Sequence, residues 1–364
     1  MSSSSLVPEH QLAIPVYRPA AIPERILQKF KSQGFVHLES NENPFGASPR
    51  VLEAINWSAK RVHRYPDSSL QRLRAALSNE TGMEPDWIHL GSGIEEILGH
   101  ISKAFVAPGD EIVLSSGTFP IYTNNNQFQQ AKEVFVDLRD YHYDLPAIKD
   151  RITAKTKLVF LCNPNNPTGT AFDTEEFESF LQGLSPDLVL IMDEAYFEFT
   201  DQSRIPNSVE YFAKVSNLIV LRTFSKAYSL ASLRIGYSIQ RPELTHHLLR
   251  AQPLYSVNGF VEEAALAALE DQQHLRTCVQ TILQQRTQME GELKNRGLSV
   301  CPSEANFLCF LTHMDARELC AQLQEHGVLV CPLGAFGIPN GIRVTIGTPE
   351  ENRRFLEAMD AVLH

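Results

Sequence analysis

From residue 111 onward, short apolar runs alternate with longer stretches in which apolar residues recur every three or four positions. The first pattern is that of buried strands and the second that of amphipathic helices. Read in this way, the chain predicts strands at 111–115, 133–137, 158–162, 188–192 and 217–221, with helices at 119–130 and 145–152 between the earlier ones. Such alternation builds a mostly parallel sheet with helices on both faces. Upstream, 23–30 is amphipathic, 49–61 reads as a helix, 87–90 as a short strand and 97–105 as a helix. Downstream, 242–252 is helical and 260–296 reads as one long amphipathic helix, followed by strands at 298–300, 306–310, 328–330 and 342–346 and helices at 316–326 and 350–363. The expected fold class is α/β: an arm, 1–40, packing with the small domain, a large domain, 41–255, with the mostly parallel sheet, and a smaller α+β domain, 256–364.

Composition narrows the function classes. At 364 residues and 43% hydrophobic, the chain is long enough for two domains around a sizeable core. The formal net charge is -11, with Lys and Arg scattered rather than striped, which argues against a nucleic-acid surface and for a small-molecule partner. The start, MSSSSLVPEH, lacks a basic stretch followed by an apolar core, and the apolar runs are too short for a bilayer, so no membrane partner and a cytoplasmic location are expected. Six cysteines without a C-x-x-C pair point to buried thiols, and the histidines contain no HExxH, so no metal is expected.

Candidate chemistry centres on LRTFSKAYSLASLRIGY, residues 221–237. Lys226 follows a strand, where α/β sheets build their sites, and desolvation there would leave an amine able to attack an aldehyde. An Ala/Leu-rich helical stretch is expected to carry Arg234 about two turns further on, where with Ser225 it could hold a phosphate. A solvated lysine and a surface arginine are the alternative on this run alone. Gly91-Ser92-Gly93-Ile94-Glu95-Glu96 is a Gly-rich turn onto a helix N-terminus, either a phosphate cradle or a simple cap. Asn163 to Gly169, NPNNPTG, makes a rigid loop exposing amides, with the Asn166–Pro167 bond expected cis. Asp193, at the tip of an apolar strand, either pairs with a ring N–H or caps the next loop, and Tyr196 lies three residues on.

With those residues in place, the sequence resembles the fold-type-I pyridoxal-phosphate aminotransferases, and within them the histidinol-phosphate aminotransferases. The likeness rests on SNENPFG, RYPD, GSGIEE, NPNNPTG, DEAYFEF, RTFSKAYSLASLRIGY and RVTIGTPEEN, in that order. The resemblance implies pyridoxal 5'-phosphate carried by Lys226, with Asp193 on the ring nitrogen and Asn166 and Tyr196 on the 3'-oxygen. It places the phosphate on Ser225, Arg234 and the backbone of Gly93, Ile94 and Glu95. Phe119 falls where the family has a stacking tyrosine, so stacking is kept and a hydroxyl lost. Tyr65 matches a tyrosine that reaches the neighbouring subunit's cofactor, implying a homodimer with shared sites. Arg343 would grip the substrate carboxylate, with Tyr17, Asn43, Tyr255 and Asn306 lining the pocket. The implied substrates are an amino donor and a 2-oxo acid acceptor, histidinol phosphate and 2-oxoglutarate.

One departure bears on the donor. Related enzymes place an arginine before the proline of a GVxVRPL pattern, where it helps bind the donor's phosphate, and here that position is Cys331. An aminotransferase for aromatic or other amino acids is the alternative, decarboxylases of amino-acid phosphates a third, and a non-catalytic binding protein on the same scaffold a fourth. The last would break the Lys226/Asp193 pair or append a DNA-binding module, and the sequence does neither.

Overall fold

The computed structural model describes residues 6–12, 14, 22–31 and 34–363. Its central sheet has seven strands in the order Ile88–Gly91, Gly236–Ile239, Leu218–Thr223, Val189–Asp193, Thr156–Cys162, Glu111–Ser115, Lys132–Val136. From Leu218–Thr223 to Lys132–Val136 all pairings are parallel, and Gly236–Ile239 runs antiparallel to both of its neighbours. Glu111–Ser115, Val189–Asp193 and Leu218–Thr223 are buried at every position, which is why they read as unbroken apolar runs. Each Leu, Ile or Val buried there contributes roughly 1.5–3 kcal/mol. Parallel pairing also aligns the carboxyl ends, so Asp193, the loop after Cys162 and the loop after Thr223 emerge at one edge.

Polar caps set the helix starts. Ser48 Oγ accepts from Val51 N ahead of Pro49–Ser58, and Asp173 and Glu176 form a reciprocal capping box at Thr174–Leu181. The expected helix at 260–296 is two, Gly259–Glu270 and Gln272–Asn295. Asp271 leaves helical geometry between them, and its carboxylate accepts from His274 N to start the second. Gly259–Glu270 packs on Pro49–Ser58 and Gln71–Thr81. A second, antiparallel sheet has the order Cys331–Pro332, Gly341–Thr345, Phe307–Leu311, Ser299–Val300, with Ala316–Glu325 and Pro349–Leu363 packed together beside it. Val36–His37 pairs in parallel with Val328–Leu329. No helix among the described residues is long and apolar enough to cross a membrane, and no metal-holding cluster occurs among them.

His89 and His100 form a buried pair between the sheet and helix Ile94–Phe105, with Nε2 and Nδ1 3.0 Å apart. Burial, with His100 and Arg74 adding, lowers His89 from 6.5 to about 3. The unfolded chain therefore takes up a proton in a range where the folded chain does not. Stability is full above pH 6.5 and declines as pH falls toward 3, by up to about 1.4 kcal/mol per unit. Denaturant unfolding should show about 2 kcal/mol less stability at pH 5 than at pH 7.5, and His89→Leu/His100→Leu should flatten that slope.

Candidate active site

Lys226 sits in a loop that strand Leu218–Thr223 hands to the antiparallel strand behind it. Ser225 N donates to Thr223 Oγ1 (3.0 Å), Phe224 N to the Ile235 carbonyl (3.2 Å) and Leu230 N to the Phe224 carbonyl (3.0 Å). These bonds leave Lys226 half-buried, its Nζ donating to the Ser40 carbonyl at 3.0 Å. Burial, then the Arg343 and Arg234 guanidinium groups, bring its pKa from 10.5 down to about 7. Much of the amine is therefore unprotonated near neutrality. Asn43 is buried, and its Nδ2 donates to the Ala227 carbonyl (3.0 Å), bracing this loop from the segment that also supplies Ser40.

Arg234 reaches the site by a route that differs from the expected helix. Ala231–Leu233 is a single 3-10 turn, Arg234 itself is left-handed (φ 53°), and strand Gly236–Ile239 follows. Tertiary context overrides the Ala/Leu propensity because Leu230 and Ile235 are drawn into the core, forcing the chain to reverse. The reversal brings Arg234 Nη1 to 3.4 Å from Ser225 Oγ. Arg234 meets the start of helix Ile94–Phe105, where Gly93 has φ 82°. A Cβ on Gly93 would lie 2.7 Å from Arg234 Nη2, and one on Gly236 would lie 2.8 Å from Ile94 N. Two glycines thus let a guanidinium, a hydroxyl and a helix start converge; Gly93 N donates to the Gly91 carbonyl (2.8 Å), which leaves the Ile94 and Glu95 amides for a phosphate dianion.

Asp193 is buried, its Oδ2 accepting from Tyr122 O–H (2.6 Å) and its Oδ1 from Ala195 N (3.0 Å). Burial raises its pKa to about 6, against the Tyr122 and Ala195 hydrogen bonds that lower it. Phe119 meets Tyr122 edge-on at 5.7 Å, and Tyr122 stacks on Phe160 at 5.1 Å. Tyr196 O–H accepts from Asn41 Nδ2 (2.9 Å), which leaves the phenol proton for another acceptor. Arg343 comes from the second sheet and is 7% exposed, yet it joins none of the ion pairs among the described residues. Its Nη1 donates to Asn166 Oδ1 and its Nη2 to the Glu39 carbonyl, both at 2.6 Å. Asn166 therefore keeps its Nδ2 for another acceptor. Asn306 is fully buried and donates Nδ2 to the Asn41 carbonyl (3.1 Å). The Asn166–Pro167 bond is cis, as expected, and so is Asn163–Pro164.

Tyr65 and Tyr255 form a pair of their own. Tyr65, 83% exposed, stacks on Tyr255 with ring centroids 4.7 Å apart. Tyr17 lies outside the described residues. Sequence reasoning missed Tyr122, which holds Asp193, and Asn41, which holds Tyr196. Asn41 lies in SNENPFG, a run already singled out, and Tyr122 lies three residues beyond Phe119. Asn41 also has φ 53°, a left-handed conformation that asparagine adopts at low cost. Cys331 pairs with Arg343 across the second sheet, placing the departure noted in the sequence directly beside the buried arginine.

The sequence pattern of class I and II aminotransferases matches residues 33–359. The chain belongs to that family. It is 40% identical over 328 residues to histidinol-phosphate aminotransferase 2 of Pseudomonas fluorescens strain Pf0-1, covering 90% of this chain and 89% of the relative. It is 37% identical over 369 residues to histidinol-phosphate aminotransferase 2 of Methylococcus capsulatus, covering all of both chains. Among solved structures it superposes with TM-score 0.89 and 28% identity on the histidinol-phosphate aminotransferase of Sinorhizobium meliloti in complex with pyridoxal-5'-phosphate, covering 100% of this chain and 98% of that one. An aspartate aminotransferase of Thermotoga maritima shares the fold at TM-score 0.84 and 21% identity, covering 98% of this chain and all of the other. The aminotransferase fold is fold type I, a large α/β part with the parallel sheet beside a smaller antiparallel one.

Proposed function

We propose that this chain is a homodimeric, pyridoxal-phosphate-dependent aminotransferase that moves the amino group of histidinol phosphate to 2-oxoglutarate. The observation that supports this reading is the convergence of Lys226, Asp193 and Arg343, close enough to influence one another, with Arg343 buried and without a carboxylate partner among the described residues. The donor set fits the cofactor: the Ile94 and Glu95 amides, Ser225 and Arg234 for its phosphate, Asp193 for its ring nitrogen, Asn166 and Tyr196 for its phenolic oxygen, and Phe119 for its ring face. When bound, the cofactor supplies an aldehyde with which amines condense and a ring that accepts electrons from the substrate carbon. Lys226, with its lowered pKa, holds the cofactor between turnovers and, once displaced, moves a proton at the amine-bearing carbon. Asp193 keeps the ring nitrogen protonated by its negative charge. Arg343 holds the carboxylate of glutamate in one half-reaction and an anionic tail of the donor in the other.

Domain division near residue 255 belongs to the same reading, as does the dimer. Tyr65, Val62, Leu254 and Trp57 are 83%, 65%, 73% and 51% exposed, apolar surface that a dimer could cover. Tyr65 and Tyr255 stack together, and in this reading they enter a neighbouring subunit's site. Mixing Lys226→Ala chains with Tyr65→Ala chains tests this, because one heterodimer site then has an intact lysine and a tyrosine from the other chain. About one quarter of native activity is expected on random 1:1 exchange, and no recovery after proven exchange would place Tyr65 in its own subunit's site. The reaction itself is tested by glutamate formation from 2-oxoglutarate with histidinol phosphate as donor. The specific observation favouring an aromatic amino-acid aminotransferase instead is Cys331 beside Arg343, and a higher kcat/KM for phenylalanine than for histidinol phosphate would establish that reading.

A further inference from the structure

The second sheet places four side chains in one row. Cys309 and Cys331 are both register partners of Arg343, on its two sides. The ladder Leu311↔Ser299 and Phe310↔Val300 continues to Cys301, whose N donates to the Cys309 carbonyl at 2.8 Å. Directly opposed residues project from the same face of a sheet, so three thiols and the guanidinium share one face. Because Arg343 bonds Asn166 on that face, it is the face turned toward the site. Cys301 and Cys309 pack with Leu333 and Ile338, and against this cluster lie the half-buried Tyr141, Cys331 and Phe336. Phe336 also places its ring 5.8 Å from the Arg343 guanidinium.

Tyr141 arrives there from an unusual turn. Arg139 and His142 exchange backbone hydrogen bonds of 2.9 and 3.0 Å, and the two residues between them, Asp140 and Tyr141, have φ 50° and 66°. A two-residue hairpin with both central residues left-handed favours Asn-Gly, and a tyrosine in the second place is strained. Such strain persists where surrounding contacts over-determine it, and it clusters at functional sites. Here the Tyr141 carbonyl is held by Thr170 Oγ1 at 2.8 Å, directly after the loop that carries Asn166, and the ring packs into the thiol cluster.

Resting on the aminotransferase reading, we propose that Tyr141 is a specificity-determining residue whose ring, with Phe336 and the half-buried Cys331 thiol over the buried Cys301 and Cys309, receives the uncharged planar ring of the substrate while Arg343 holds its anionic group. The class of donor is then a ring-bearing amine with one anion, an imidazole or phenyl group on a short chain. The wall offers a planar ring apolar contact and polarizable sulfur.

The test is equilibrium binding of two carboxylates to the holoenzyme by calorimetry: 3-phenylpropionate, which has a ring, and glutarate, which does not. Tyr141→Ala should weaken 3-phenylpropionate at least about tenfold while glutarate stays within about threefold. Tyr141→Phe should leave both close to native, and Phe336→Ala should repeat the selective loss. With ring-bearing donors the alanine change should raise KM more than it lowers kcat. Equal weakening of both ligands by Tyr141→Ala, or no weakening of either, overturns the proposal. Because binding needs no turnover, this result stands apart from whether amino transfer occurs, which a glutamate half-reaction on the same preparation decides.

Discussion

Lys226→Ala is expected to lower amino transfer by roughly 10⁴-fold or more, since in the proposed function one residue both anchors the cofactor and moves the proton at the substrate carbon. Burial suits it to that proposed double duty. An exposed lysine amine would be largely protonated at neutral pH and a poor nucleophile, whereas burial, helped by Arg343 and Arg234, brings Lys226 to about 7. The sign follows directly: the free amine dominates above that value, so covalent capture of pyridoxal phosphate by the apoenzyme should accelerate as pH rises through about 7 and then level off. For an unshifted lysine the rise would continue toward 10.5. Borohydride reduction followed by peptide mapping should put the added mass on Lys226, and on no other lysine. Small primary amines supplied to Lys226→Ala should restore part of the proton transfer, because they replace the base without replacing the tether. A tag on another lysine, or an alanine variant within tenfold of native, would remove Lys226 from its assigned role.

Asp193→Ala should cost roughly 10³-fold in kcat, and Asp193→Asn nearly as much, because a neutral amide cannot hold a proton on the ring nitrogen. Asp193 starts from a pKa of about 6, raised by burial and restrained by its bond from Tyr122. It is charged above that value, so cofactor affinity should fall as pH drops below about 6. Tyr122→Phe removes a hydrogen bond that favours the charged form, so its acid limb should shift to higher pH while activity at pH 8 changes much less. Cofactor dissociation constants measured from pH 5 to 8 on native, Tyr122→Phe and Asp193→Asn proteins would show both effects. An unshifted limb in Tyr122→Phe would mean that the 2.6 Å bond does not tune the carboxylate.

Much of this was legible in the chain alone. Strands buried on both faces, such as Val189–Asp193 and Leu218–Thr223, announce themselves as unbroken apolar runs, and a carboxylate or lysine at their tips marks the functional edge. Gly-rich and Asn-Pro stretches declare loops because few other residues adopt those backbone conformations. Less visible were Gln71–Thr81, a polar helix with only Leu73 and Leu77 buried, and the short strand Gly236–Ile239, which begins with glycine. Local patterns carry little signal for either, and packing against larger elements holds them in place.

The sequence by itself determined which groups exist for the chemistry: the Lys226 amine, the Asp193 carboxylate, the Ser225 and Arg234 pair, and a cysteine at position 331. Only the tertiary structure decided how they meet. Arg234 reaches Ser225 through a left-handed reversal rather than along a helix, because core packing of Leu230 and Ile235 outweighs the propensity of the residues between them. Arg343 reaches Asn166 from 177 positions away because strand Gly341–Thr345 of the second sheet lies against the loop that follows Cys162. The lowered pKa of Lys226 and the raised one of Asp193 likewise belong to the folded state, since both depend on removing water from groups that the unfolded chain leaves solvated.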